Sequence, residues 1–152
     1  MWMLIVTWFN KLKHFFGFFN LTDFEVDLME VLRKEIPTDW KEALDSQLKR
    51  FNKVDRVLEP ASELPFGHTS FYWTRFGKAK FDFPKKFPSK AESELLATVE
   101  VFSPQDDNLI RVSFGLVHGF LFTIKYRSKK KIFIPRSRYV IRNFNLELKQ
   151  TL

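Results

Sequence analysis

Apolar residues recur at helical spacing through the first third of the chain and at alternate positions through the rest. In residues 1–21, Trp2, Ile5, Phe9, Leu12, Phe16 and Phe19 fall on one side of a helix, opposite a stripe of Thr7, Asn10, Lys11, His14 and Asn20. Thr22-Asp23-Phe24-Glu25 has the spacing of a capping box and opens a second helix. Phe24, Leu28 and Leu32 follow on one face, and Pro37 stops it. Trp40, Leu44, Leu48 and Phe51 predict a third helix, beginning at Thr38 or Asp39 and ending near Asn52.

From residue 53 the period shortens to two. Lys53–Leu58 reads as a short strand. Phe71–Phe76 is aromatic and β-favouring, and is expected to continue past Gly77 to Phe83. Leu95–Phe102 ends at Pro104. Ile110, Val112, Phe114 and Leu116 alternate with polar or small residues, Val117-His118-Gly119 turns the chain, and Phe120, Phe122, Ile124 and Tyr126 alternate again. Tyr139–Leu148 is the last strand, with Val140, Arg142, Phe144, Leu146 and Leu148 expected on one face. Helices followed by hairpin-linked strands imply an α+β fold, with N-terminal helices packed on a twisted antiparallel β-sheet of about five strands. At 152 residues the chain is one domain, with 1–52 mainly helical and 53–148 mainly antiparallel strands. Asp82–Ser93, with Pro84, Pro88 and three lysines, reads as an exposed functional excursion.

Composition narrows the chemistry. There are no cysteines, which excludes disulfide scaffolds, cysteine zinc sites, iron–sulfur clusters and thiol nucleophiles. Residues 1–21 lack the basic lead and cleavage site of a signal peptide, and Asn10, Lys11, Lys13 and His14 interrupt them short of a bilayer span. They read as a helix covering the core, or as an interfacial membrane helix. A cytoplasmic location is expected. The net charge of +7 is regional: residues 1–63 carry 9 Lys/Arg against 11 Asp/Glu, whereas residues 64–152 carry 16 against 7. Such a field draws in nucleic acid, an anionic membrane or an acidic protein face.

Catalytic signatures are scarce. Five glycines form no phosphate-binding loop and no nucleophile elbow. His14, His68 and His118 stand in separate contexts. His118 fits a hairpin turn, while His68 in Gly67-His68-Thr69-Ser70 is the one general-base candidate. Asp106 and Asp107 suit a tight turn, and Asn20-Leu21-Thr22 matches a glycosylation triplet whose threonine is already a helix cap. No enzyme activity, cofactor or metal is expected. Between Phe66 and Phe87, eight aromatic rings are threaded with Arg75, Lys78, Lys80, Lys85 and Lys86. That mixture suits single-stranded nucleic acid, with bases on rings and phosphates on cations. Alternation along a strand, however, sends part of the rings into the core.

The hairpin Val117-His-Gly119-Phe120-Leu121-Phe-Thr-Ile124-Lys125-Tyr126 resembles a recurring element of small stand-alone bacterial proteins, some of them immunity proteins of toxin systems. In those a Gly-aromatic-Leu-x-x-hydrophobic-Glu strand follows a turn, and here Lys125 stands in place of the acid. The resemblance implies a compact, non-enzymatic protein-binding domain: an immunity-type inhibitor that neutralises a bacterial toxin by steric occlusion. It carries over no functional residue. Charge density then selects the expected contact surface, namely Lys85, Lys86 and Lys90 in one loop and Arg127, Lys129, Lys130, Lys131, Arg136 and Arg138 in the linker after the hairpin. The partner would be a toxin domain with an acidic face. A nucleic-acid-binding module is the alternative, and a peripheral membrane protein docked by residues 1–21 the third reading.

Overall fold

A computed structural model of the chain describes residues 20–59, 66–130 and 139–148. The expected helix over residues 1–21 therefore lies outside the described residues, apart from Asn20 and Leu21. Helix α1 spans Asp23–Glu35 and helix α2 spans Thr38–Arg50. The capping box is present in full: the Thr22 hydroxyl accepts from the Glu25 amide at 3.2 Å, and the Glu25 carboxylate accepts from the Thr22 amide at 2.8 Å. The Arg33 guanidinium donates twice to Asp45, at 2.9 and 3.0 Å, and so joins the two helices.

Among the described residues seven strands follow, where about five were expected: β1 (Lys53–Glu59), β2 (Phe66–Arg75), β3 (Lys78–Lys80), β4 (Ser93–Ser103), β5 (Asn108–Val117), β6 (Phe120–Ser128) and β7 (Val140–Leu146). They form an antiparallel sheet in the order β1-β2-β6-β5-β4-β7, with β3 paired to the far end of β2. One of the additional strands, β3, arises at Gly77. Phe76 and Gly77 both have positive φ, so the chain reverses into a hairpin rather than continuing as a bulged strand to Phe83.

Leu28, Leu32, Trp40, Leu44 and Phe51 of the helical segment share one buried cluster with Phe71, Val99, Val101, Ile110, Val112, Phe114, Leu116, Leu121 and Ile124 of the sheet. The α+β expectation holds, with both helices on one sheet face. Among the described residues no helix lies on the other face. Strand β7 departs from simple alternation. Arg142 pairs with Glu100 and Phe144 with Val99, leaving Asn143 as an inserted residue at φ 35°. Ile141 and Phe144 therefore pack against the core, and Val140 and Arg142 do not share a face with Phe144.

The loop from Phe81 to Glu92 is half buried in its contacts, although its lysines are exposed. Phe87 is fully buried, edge-on to Trp40. Its amide donates to the Gly119 carbonyl at 2.8 Å. A Cβ on Gly119 would stand 2.8 Å from the Phe87 carbonyl, and Gly119 has φ 80°, so only glycine fits there. Gln47, completely buried, accepts from the Leu121 amide at 2.8 Å and donates to the Lys85 carbonyl at 3.2 Å. The excursion expected from composition is therefore a pinned strap.

The Glu25 carboxylate, like Gln47, is buried and fully partnered. Glu25 accepts from the Nε and one Nη of the Arg56 guanidinium at 2.9 and 2.6 Å, and from Thr69 at 2.7 Å. Tyr126 lies within 3.1 Å of the Thr69 hydroxyl, and burial followed by the Glu25 charge pushes its phenol well above the usual range. This network ties α1 to β1, β2 and β6.

Candidate nucleic-acid interface

Strand alternation divides the Phe66–Phe87 aromatics. Phe71 and Phe87 are core, and Phe83 lies against Phe51, Trp73 and Phe120. Tyr72 and Trp73 are half-buried, whereas Phe81 is 47 % and Phe76 92 % exposed. Phe76 forms the turn of an exposed arm, the β2–β3 hairpin, and Phe81 follows directly after β3.

The base of this arm is held on both sides. Asn52 stands where β1 would continue, its side chain donating to the Thr74 carbonyl at 2.7 Å and accepting from the Thr74 amide at 2.8 Å. On the other side Trp73, Thr74 and Arg75 pair with Lys80, Ala79 and Lys78. Arg50 stacks over the Trp73 ring at 4.8 Å, and Lys53 approaches the Tyr72 ring at 5.8 Å.

The tip of the arm runs against both strand energetics and turn chemistry. Arg75 and Lys78 face each other directly, a like-charge pair that costs stability. Four described non-glycine residues have positive φ: Phe76, Asp107, His118 and Asn143. Aspartate, histidine and asparagine tolerate that region, but a bulky aromatic is strained in it. Phe76 sits at φ 51° with nothing to bury it except Arg75, whose guanidinium is 5.5 Å from the ring. Stability alone would select Asn-Gly here.

The cations expected from sequence do not converge. Lys85, Lys86 and Lys90 are exposed on the strap beside the start of β6, with Lys85 paired to Glu42 and the Lys90 amide donating to Glu94 at 3.1 Å. Arg127, Lys129 and Lys130 are exposed at the far end of β6, roughly 30 Å away along the strand. Lys130 reaches the Asp107 carboxylate at 3.2 Å in the β4–β5 turn. Lys131, Arg136 and Arg138 lie outside the described residues. The strap cations instead share an end of the sheet with the arm, because the antiparallel pairing of β2 and β6 brings Arg75, Lys78 and Lys80 to the start of β6. Sequence reasoning passed over Arg50 and Lys53, and it counted Phe76 among the interleaved rings while placing it in a strand rather than at a turn. The Phe76-Gly77 pair was the available signal for the turn.

Chemically this end offers a surface. A crevice among Phe51, Tyr72, Trp73, Phe81, Phe83 and Phe120 encloses about 10 Å³, room for one water. Among the described residues no three His, Asp or Glu side chains gather to hold a metal ion, and no helix is long and apolar enough to cross a membrane. His68 lies mid-strand opposite Val57 and Lys125, with no carboxylate at either pairing position. His118 occupies its expected turn at φ 51°, 4.0 Å from Glu92. No family model, curated protein or solved structure matches this chain.

Proposed function

We propose that this protein is a binding module for single-stranded nucleic acid, with the β2–β3 arm as its first contact. The observation that carries the reading is Phe76, a strained and nearly fully exposed ring set between Arg75 and Lys78. A ring in water offers a stacking face to a base, and the flanking cations lie where phosphates would run. Arg50 and Lys80 add charge beside Trp73 on one face of the arm's base, and Lys53 adds it beside Tyr72 on the other. An anionic membrane would meet these cations too. A tip bearing one phenylalanine, however, supplies little of the apolar area that interfacial anchoring needs.

The test is fluorescence anisotropy with labelled single-stranded RNA and DNA, and with a duplex of equal length. Binding should favour the single strands and weaken steeply with salt. Phe76→Ala should lose roughly 1–3 kcal/mol of affinity, the worth of one stacked base. Wild-type affinity in that variant, or preference for anionic vesicles, would overturn the reading.

Toxin neutralisation by occlusion keeps one supporting observation, the pinned strap. Phe87, Gln47 and Gly119 hold Lys86 and Lys90 on a backbone that loses little freedom on docking. Its signature would be a tight one-to-one protein complex with no oligonucleotide affinity at physiological salt.

A further inference from the structure

Resting on that reading, we infer that the strand does not end at the arm but continues across the sheet face opposite the helices, over Tyr72 and Phe122, to a phosphate-binding cluster of Lys125, Arg127 and Arg111. Thr69 and Phe71 are buried toward the helices, so Tyr72 and His68 face the other way, as do Lys125 and Arg127, which flank buried Tyr126. Tyr72 lies at the base of the arm, on the face opposite Trp73 and its partner Lys80, and its ring meets Phe122 edge-on with centroids 5.4 Å apart. Both are half-buried, which leaves part of each ring available as a platform.

Past these rings the face becomes cationic. Lys125 pairs with His68 on one side and Ser113 on the other, and Arg127 stands directly opposite Arg111. The second pairing puts like charge against like charge in the middle of a sheet, where it costs stability. Arg111 is offset by Glu100 at 3.4 Å, whereas Lys125 and Arg127 have no carboxylate partner among the described residues. The outward positions of β2, β5 and β6 carry no acid at all. The distance from Tyr72 to the level of Arg127 is six residues of strand, about 20 Å. An extended polyanion laid from the arm along β2 and β6 would meet rings first and then charges.

The occupant is thus the sugar-phosphate backbone of the same strand that the arm engages. The experiment compares labelled oligonucleotides of roughly 4 and roughly 12 nucleotides, within the range of single-domain sites, on the wild-type chain and on the double variant Lys125→Gln/Arg127→Gln. The longer strand should bind the wild type at least tenfold more tightly than the shorter one. The double variant should lose most of that gain, bind the short strand as before, and show a log–log salt slope shallower by about 1.4 for two released phosphate contacts. Its thermal midpoint should not fall, because the substitution removes the opposed Arg127–Arg111 charges. If long and short strands bind the wild type equally, or the variant keeps the full length dependence, the face is not the path while the arm still is. If neither length binds, both readings fall.

Discussion

Phe76 holds a conformation that its side chain resists, and the physical consequence is a trade between stability and binding. Phe76→Asn places at φ 51° a residue that tolerates it, so the fold should gain about 1 kcal/mol by denaturant titration. The same change should weaken single-strand binding; a gain in stability with unchanged affinity would reduce the ring to an accident of the turn. Asp27 offers a second residue-scale test. Burial, and then the nearby Asp23 charge, raise its folded-state pKa, while the Tyr139 hydroxyl donates to it. A raised carboxyl means the folded state holds its proton more tightly than the unfolded chain. Above the folded pKa the ionised form therefore costs stability, and that cost fades as pH falls toward the unfolded value. Asp27→Asn keeps an acceptor for Tyr139 and should raise the thermal midpoint at pH 7. The difference from wild type should close on acidification through the folded pKa, and a constant offset would show that charge is not the cause. Neither feature was legible in sequence. Phe76 read as one more residue of an aromatic strand, because alternation does not reveal which backbone takes positive φ when glycine stands only next to it.

At the scale of elements, what was legible had a local cause. The capping box at Thr22, the stop at Pro37 and the turn at His118-Gly119 are each written in a few neighbouring residues, and the structure has all three. What misled had a distant cause. The strap read as an exposed excursion because prolines and lysines dominate it, but Phe87 enters the core, Phe83 packs against it, and Gln47 on α2 donates to the Lys85 carbonyl. Likewise β7 read as regular because its bulge at Asn143 is set by pairing with β4. The weight of the distant contact can be measured. Gln47→Leu fits the apolar surroundings but strands the Leu121 amide and the Lys85 carbonyl, which should cost roughly 1–3 kcal/mol. Hydrogen exchange at Leu121 should accelerate beyond the global change. If only global stability moves, Phe87 holds the strap by itself.

For the molecule as a whole, regional charge was legible and its placement was not. The linker Arg127–Arg138 and the loop Lys85–Lys90 marked the expected contact surface, yet sheet order decides which cations meet: β2 lies beside β6 although about fifty residues separate them in sequence. That pairing gathers Arg75, Lys78 and Lys80 with the strap, and leaves Lys129 and Lys130 at the opposite end. Two variants of equal charge separate position from amount. Lys78→Gln/Lys80→Gln and Lys129→Gln/Lys130→Gln each remove two positive charges and leave the molecule at the same net charge. General attraction to a polyanion scales with that total, so it predicts equal losses in association rate. Docking through the arm predicts that the first variant loses affinity through faster dissociation and a shallower salt slope, while the second slows association slightly. Stopped-flow measurements of both rate constants at two ionic strengths distinguish these outcomes. Equal effects would mean that the arm's rings and cations do not act as a unit, and that the strand is held by the overall field alone.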